Sequence, residues 1–318
     1  MTKIDFSKAK ILVVGDLILD KYFHGSVTRI SPEAPVPVIL KEYEKTVPGG
    51  AANVANNLQK LNANINLLGI TGNDNNGWLL SSILKEEGIT TDVITGDNPT
   101  VTKIRIIGEH QQICRLDVEK NMPHAESVRA ALLETVENRI EDSKLVILSD
   151  YDKGLIDAET SSFIIRKAKE IGIPVIIDPK KKDWNLYTGA FLITPNLKEF
   201  REVCHRLHLD ESELISSGRA VREKYELDNL LITLSDKGMM LITSSEEYHI
   251  PTVKQEVFDV SGAGDTVIAT LGACLGNGHD IQKAVEIANI AAGIVVGKFG
   301  TAPVTLKELQ EALNSVGN

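Results

Sequence analysis
Only three cysteines occur in the 318-residue sequence, Cys114, Cys204 and Cys274, far apart and without paired metal-binding spacing. They exclude a disulfide frame and suggest buried thiols in a reducing, cytoplasmic compartment. No apolar run is long enough to cross a bilayer, so no membrane association is expected. The opening Met1-Thr2-Lys3-Ile4-Asp5 carries an acid early and lacks the long apolar core of a secretory leader. Positive charge is also scarce: the net charge is −10, with no basic block beyond Lys180-Lys181-Lys182. Nucleic acid is therefore not expected as a partner. The seven histidines show no metal spacing; His205 and His208 stand three apart, but no further ligand cluster accompanies them. No Gly-x-x-x-x-Gly-Lys-Ser/Thr is present, which excludes a P-loop enzyme. The dinucleotide fingerprint is incomplete, because Val267 stands where its third glycine would be, and a nicotinamide dehydrogenase is disfavoured.

What remains has the composition of an ordinary soluble globular protein, 42% hydrophobic and 25% charged. Short apolar runs read as buried strands: 10–16, 65–69, 145–150, 175–178, 191–194 and 230–234. Helical patterns lie between them at 50–61, 77–87, 158–171 and 197–207, and a surface helix is expected over 305–316. Alternation of this kind predicts an α/β fold with a largely parallel sheet, over one domain spanning 1–318. Ligands in such folds bind beyond the carboxyl ends of the strands, where Asp16, Asp150, Asp178 and Thr194 fall. Capping of the next helix is the competing account of those residues. Segments 20–47 and 100–118 break the pattern and read as extended antiparallel pieces, the second a hairpin turning at Gly108-Glu109-His110. Pro32, Pro35 and Pro37 suit an edge strand in the first. Together they predict a small inserted sheet, a lid or a dimer contact.

Asp259-Val260-Ser261-Gly262-Ala263-Gly264-Asp265-Thr266 opens an apolar helix. Glycines at a helix start let backbone N–H groups face an anion, and the helix dipole favours negative charge there. A carboxylate such as Asp265 beside that site makes sense as the acceptor of a proton from a hydroxyl attacking a phosphate. On the octet alone, a tight turn with an acid complementing the dipole accounts for it equally well. Pro48-Gly49-Gly50-Ala51-Ala52-Asn53 is a second glycine turn before a helix, with Asn53 able to donate to and accept from sugar hydroxyls.

The pair of motifs resembles the ribokinase-like (PfkB) carbohydrate kinases, and the resemblance covers essentially the whole chain. It implies a three-layer sandwich with a mostly parallel central sheet and a small inserted β-sheet lid. Within the family, 28–38 and 111–117 are similar to the kinase domain of heptose 7-phosphate kinases, which phosphorylate D-glycero-β-D-manno-heptose 7-phosphate at C1 for ADP-heptose and lipopolysaccharide core synthesis. Many of those relatives carry a nucleotidyltransferase domain with a His-x-Gly-His motif. This sequence has no such motif, so a kinase alone, or half of a longer protein, is expected. The resemblance implies Asp265 as the base and Gly262, Ala263 and Gly264 as the backbone anion hole. Asn196-Leu197-Lys198-Glu199 matches the motif near the ATP phosphates, with Glu199 organising Mg²⁺ through water. Ser235, Lys237 and Gly238 resemble the nucleotide loop, and Asn289 approaches the adenine. Asp16, Asp20, Gly49, Gly50 and Asn53 are implied at the sugar.

A sugar phosphate needs cations at the sugar end, away from ATP. Arg29, Lys103, Arg105, Arg115, Lys153 and Lys180 are candidates, Lys180 having the best position at a strand end and at least half being ordinary solvated residues. The expected partners are ATP and a phosphorylated sugar, with a homodimer through the lid sheet. Rival readings are another sugar kinase of this fold and a non-catalytic sugar- or nucleotide-binding regulator.

Overall fold
A computed structural model describes residues 4–109, 111–120, 122–252, 258–298 and 300–316. The first half runs β1 (Lys10–Gly15), β2 (Leu17–Ile30), β3 (Pro37–Gly50), α1 (Ala51–Lys60), β4 (Asn64–Gly72), α2 (Asn75–Glu86), β5 (Thr90–Gly96), β6 (Val101–Gly108) and β7 (Gln111–Val118). There follow α3 (Glu126–Ile140), β8 (Leu145–Ser149), α4 (Ala158–Ile171), β9 (Val175–Asp178), β10 (Leu192–Ile193), α5 (Leu197–Arg206) and α6 (Leu214–Lys224). The last elements are β11 (Asn229–Thr233), β12 (Met239–Ile242), β13 (Glu247–Ile250), α7 (Ala263–Gly276), α8 (Ile281–Val296) and α9 (Leu306–Val316).

Nine strands form the large sheet in the order β13-β12-β11-β10-β9-β8-β1-β4-β5. All its pairings are parallel except those of β12 and β13 at one edge. The central strands are apolar at successive positions because both faces of the sheet are covered. Along β1, Ile11 and Val13 pack with α1, α7 and α8, whereas Leu12 and Val14 pack with α3, α4 and α5. One strand therefore feeds two cores, which makes the three layers expected from the sequence.

The second sheet has the order β3-β2-β6-β7. The two inserted segments do form one sheet, but not a purely antiparallel one: β2 pairs with β6 in parallel, Asp20 opposite Lys103 and Tyr22 opposite Arg105. The β2–β3 and β6–β7 pairs are antiparallel hairpins. Gly108 ends β6, Glu109 follows with φ 56°, and the expected turn residue His110 lies outside the described residues. Pro37 opens the edge strand β3, and Pro32 and Pro35 lie in the connection before it. The root of this sheet is one residue. Asp16 is the whole link between β1 and β2, and its carbonyl accepts the N–H of Ala51 at 3.0 Å where β3 passes into α1.

Asp74 ties α2 to the residue that leads into β6. Its carboxylate caps α2 through the Gly77 N–H (2.8 Å) and accepts the N–H (2.8 Å) and hydroxyl (2.7 Å) of Thr100. Burial alone would raise its pKa, but these bonds override burial and hold it below 3.8. A lowered carboxylate pKa stabilises the fold above the unfolded value, and that contribution is lost as pH falls through the folded one. Asp74→Ala should therefore cost roughly 1–2 kcal/mol at pH 7. Urea denaturation should show the gap to wild type narrowing at pH 3.

Candidate active site
Residues just past or at the carboxyl ends of β8, β9 and β10 line one cleft with Gly264 and Val267 at the start of α7, the edge of a parallel sheet where ligands bind. Gly262 caps that helix in the left-handed region, φ 80°, where a side chain would be strained. Asp265 follows in the first turn and is buried, 5% exposed. Its Oδ2 accepts the Asn53 amide at 2.6 Å and its Oδ1 accepts the Tyr151 hydroxyl at 2.6 Å. Burial pushes its pKa up to about 6, against the opposing pull of those two donors and of Lys103. A carboxylate held near neutrality has useful affinity for a proton and is still ionised at pH 7.

The cleft beside it, of about 150 Å³, is lined by Tyr151, Asp178, Lys180, Asn196, Glu199 and Gly264, among others. The Gly264 Cα faces open space: a Cβ built there would meet nothing within 4 Å. Across the cleft, Asn196 and Glu199 form a capping box on α5, Asn196 Oδ1 accepting the Glu199 N–H and Glu199 Oε2 accepting the Asn196 N–H, each at 3.0 Å. Asp178, at the end of β9, is pushed well above the usual carboxylate range by burial and by the charges of Asp265 and Glu199.

The second sheet brings Asp20 and Lys103 within influence of Asp265, with Arg105 beside Asp20. Arg105 pairs with Asp20 and stacks over the Tyr22 ring, 5.1 Å from its centroid. Gly49 lies directly against this pair: a Cβ there would stand 2.1 Å from an Asp20 carboxylate oxygen, so the Asp20 side chain would have to shift. Lys103 Nζ lies 5.4 Å from the Tyr151 ring centroid. It forms no ion pair among the described residues. Its pKa is lowered by burial, which outweighs Asp20, and further by Lys153, Arg115 and Arg105.

The chain has a glycine-capped helix N-terminus, a buried acid and a separate small sheet, and comparison with known proteins decides the family. The family model described as pfkB family carbohydrate kinase matches residues 8–308. The chain belongs to that family. It is a sugar kinase of ribokinase-like fold.

Similar curated proteins include the bifunctional protein HldE of Haemophilus influenzae (strain PittEE), 43% identical over 314 residues, covering 98% of this chain and 65% of the relative. HldE of Pseudomonas paraeruginosa is 45% identical over 310 residues, covering 97% and 64%. This pfkB-family chain thus spans a little under two thirds of these relatives' length. Solved structures of similar fold include ribokinase from Thermotoga maritima, with TM-score 0.76 and 23% identity over 96% of this chain and 99% of that one. Phosphofructokinase-2 from Escherichia coli in complex with fructose-6-phosphate has TM-score 0.77 at 16% identity, covering 98% and 99%.

Within this kinase fold the residues singled out by sequence divide by location. One chain of contacts links several of them: Asn53 reaches Asp265 and lies close to Gly262, while Asp20 acts on Asp265, pairs with Arg105 and lies against Gly49. Asn53 spends its amide on Asp265 and is braced by Asn57, whose side chain also accepts the Thr266 hydroxyl at 2.9 Å. Asp16 is a structural brace: Oδ2 accepts the N–H groups of Tyr151 (2.9 Å) and Lys153 (3.0 Å), and Oδ1 that of Leu155 (3.2 Å). Burial still leaves its pKa raised. Lys180 departs from expectation. Its ammonium binds Glu199 at 3.0 Å, in the cleft on the side assigned to ATP, and not with the lid cations. The strand end that recommended it opens beside α5, which carries Glu199.

Arg115 is exposed and engaged with Asp117 at 2.8 and 2.9 Å, while Arg29 is exposed toward the lid tip. Leu197 packs into the core and Lys198 is exposed; neither lines the cleft. Ser235 and Lys237 form a short turn ended by Gly238, and Thr252 donates to the Ser235 carbonyl at 3.2 Å. Asn289 on α8 donates to the Pro251 carbonyl at 2.8 Å, so the loop and the late helix meet over one segment. Sequence reasoning missed Tyr151. The available signal was an aromatic hydroxyl two residues past the end of a parallel strand.

Proposed function
We propose that this sugar kinase transfers the γ-phosphoryl group of Mg-ATP to the C1 hydroxyl of a phosphorylated sugar, with D-glycero-β-D-manno-heptose 7-phosphate as the leading candidate. The observation that carries the phosphate requirement is Lys103, a cation with no ion-pair partner among the described residues, within the influence of Arg105, Arg115 and Lys153 and close to the proposed catalytic acid. Arg105, Arg115 and Lys153 are already paired with Asp20, Asp117 and Glu119, which leaves the half-buried Lys103 ammonium to meet an anionic group on the substrate. The likeness of 28–38 and 111–117 to heptose 7-phosphate kinases, and the HldE relatives, favour this substrate and a place in lipopolysaccharide core synthesis.

In this mechanism the sugar hydroxyl lies against Asp265, which takes its proton as the oxygen attacks the γ-phosphorus in line and ADP departs. The N–H groups at the start of α7, from Gly262 to Gly264, receive the charge on the transferred group. Asn196, Glu199, the 235–238 turn and Asn289 hold the nucleotide. The cleft fits magnesium held largely by ATP and water: no cluster of three ligating side chains occurs among the described residues, and Glu199 offers one carboxylate near the phosphates. The ion would neutralise phosphate charge. Residues 1–318 act as one kinase domain, with 20–47 and 100–118 as its lid.

A second copy is the proposed cover for the lid's exposed apolar residues Leu40, Tyr43, Ile113 and Leu116. Sedimentation equilibrium should then show a dimer, and a monomer at micromolar concentration would refute it. The function is tested by ADP release with Mg-ATP and a sugar panel. Turnover with heptose 7-phosphate but little with unphosphorylated heptose supports the reading. Preference for another sugar phosphate replaces the substrate, and silence from folded protein favours a binding regulator.

A further inference from the structure
Tyr151 has no part in the reading above, yet three elements fix it. The backbone leaving β8 is pinned by the Asp16 carboxylate at Tyr151, Lys153 and Leu155. Asp150 Oδ1 also accepts the Asp152 N–H at 2.7 Å, closing a turn in which Asp152 has φ 56°. The ring stands between the lid and the catalytic helix, Lys103 on its face and its hydroxyl 2.6 Å from Asp265 Oδ1.

The geometry assigns Tyr151 as a positioning residue for the base: its O–H holds one oxygen of the Asp265 carboxylate while Asn53 holds the other, leaving the remaining lone pairs for the substrate hydroxyl. This inference rests on Asp265 acting as the base. A phenol serves here because it stays a donor. Burial and the neighbouring Asp265 charge raise the Tyr151 pKa well above its ordinary value, so it does not ionise in the working range. The groups facing Asp265 are Asn53 from α1, Asp20 from β2, Lys103 from β6, Asp178 from β9 and Tyr151. Asp20 favours the protonated acid, Lys103 opposes it, and only Asn53 and Tyr151 donate hydrogen bonds to the carboxylate among the described residues. Losing one donor must therefore raise the proton affinity of the base.

The test is the pH profile of kcat/KM for Tyr151→Phe, which keeps the ring. The acid limb should move up by roughly one pH unit. Activity should fall about fivefold at pH 6 but stay within about twofold of wild type at pH 8.5, with KM for ATP unchanged. A profile parallel to wild type, at whatever height, overturns the assignment. If the phenylalanine variant does not fold, a singly ring-fluorinated tyrosine at 151 replaces it as a stronger donor of nearly the same shape. It should move the limb to lower pH, and an unmoved limb overturns the assignment. Failure of the base reading itself is separate, because that would appear as retained turnover in Asp265→Asn.

Discussion

Asp265→Asn should lower kcat by roughly 10²–10⁴-fold, the range spanned by a positioned general base. KM for ATP should change little, because the amide keeps the size of the side chain and the N-terminal N–H groups of α7 are untouched. Single-turnover measurements at saturating ATP check this, and wild-type-like turnover refutes the role. The wild-type acid limb should fall near pH 6, where the buried carboxylate titrates. A second, thermodynamic consequence has the opposite sign. The folded-state pKa lies above the ordinary 3.8, so the favourable contribution of this group is full below pH 3.8 and lost as pH rises through about 6. At pH 8 the ionised, buried Asp265 burdens the fold. The asparagine variant should then melt no lower than wild type at pH 8 while being nearly inactive, which separates loss of chemistry from loss of structure.

Much of this site was legible in the sequence because its parts are local. The octet 259–266 and the turn 48–53 each place glycines before a helix, and strand runs ending in acids mark the carboxyl edge of a parallel sheet. Helix α1 and strand β1 fall within a residue of expectation for the same reason. What periodicity does not encode is partnership. The parallel β2–β6 pairing joins strands separated by five intervening elements, and an alternating pattern reads alike for either direction. Lys180 was placed by its strand end, but its direction is set by Glu199 on α5, a contact across 19 positions. Asp16 likewise reads as a sugar ligand by position, and periodicity does not show that its carboxylate also accepts three backbone N–H groups from a loop more than a hundred residues away. Helix α3, by contrast, carries a local signal: Val128, Leu132, Val136 and Ile140 recur at helical spacing and are buried.

Lys103→Met should produce the second large effect, confined to substrates that carry a phosphate. Lys103 is the cleanest probe of the lid, because Arg105 is tied to Asp20, Arg115 to Asp117 and Lys153 to Glu119. Removing Arg105 would strand a nearly buried Asp20 and confound recognition with lid stability. Methionine keeps an unbranched chain against the Tyr151 ring and deletes only the charge and its donors. A hydrogen bond to a charged group contributes roughly 1.5–3 kcal/mol, so kcat/KM for the phosphorylated sugar should fall about 10- to 150-fold. For the unphosphorylated sugar it should stay within about threefold at pH 8, where Asp265 is ionised and the loss of a nearby cation matters little to the base. Equal losses on both substrates would make Lys103 a support of Tyr151 rather than a phosphate ligand. No loss on either would remove the lid from substrate recognition and, with it, the physical argument for a phosphorylated sugar.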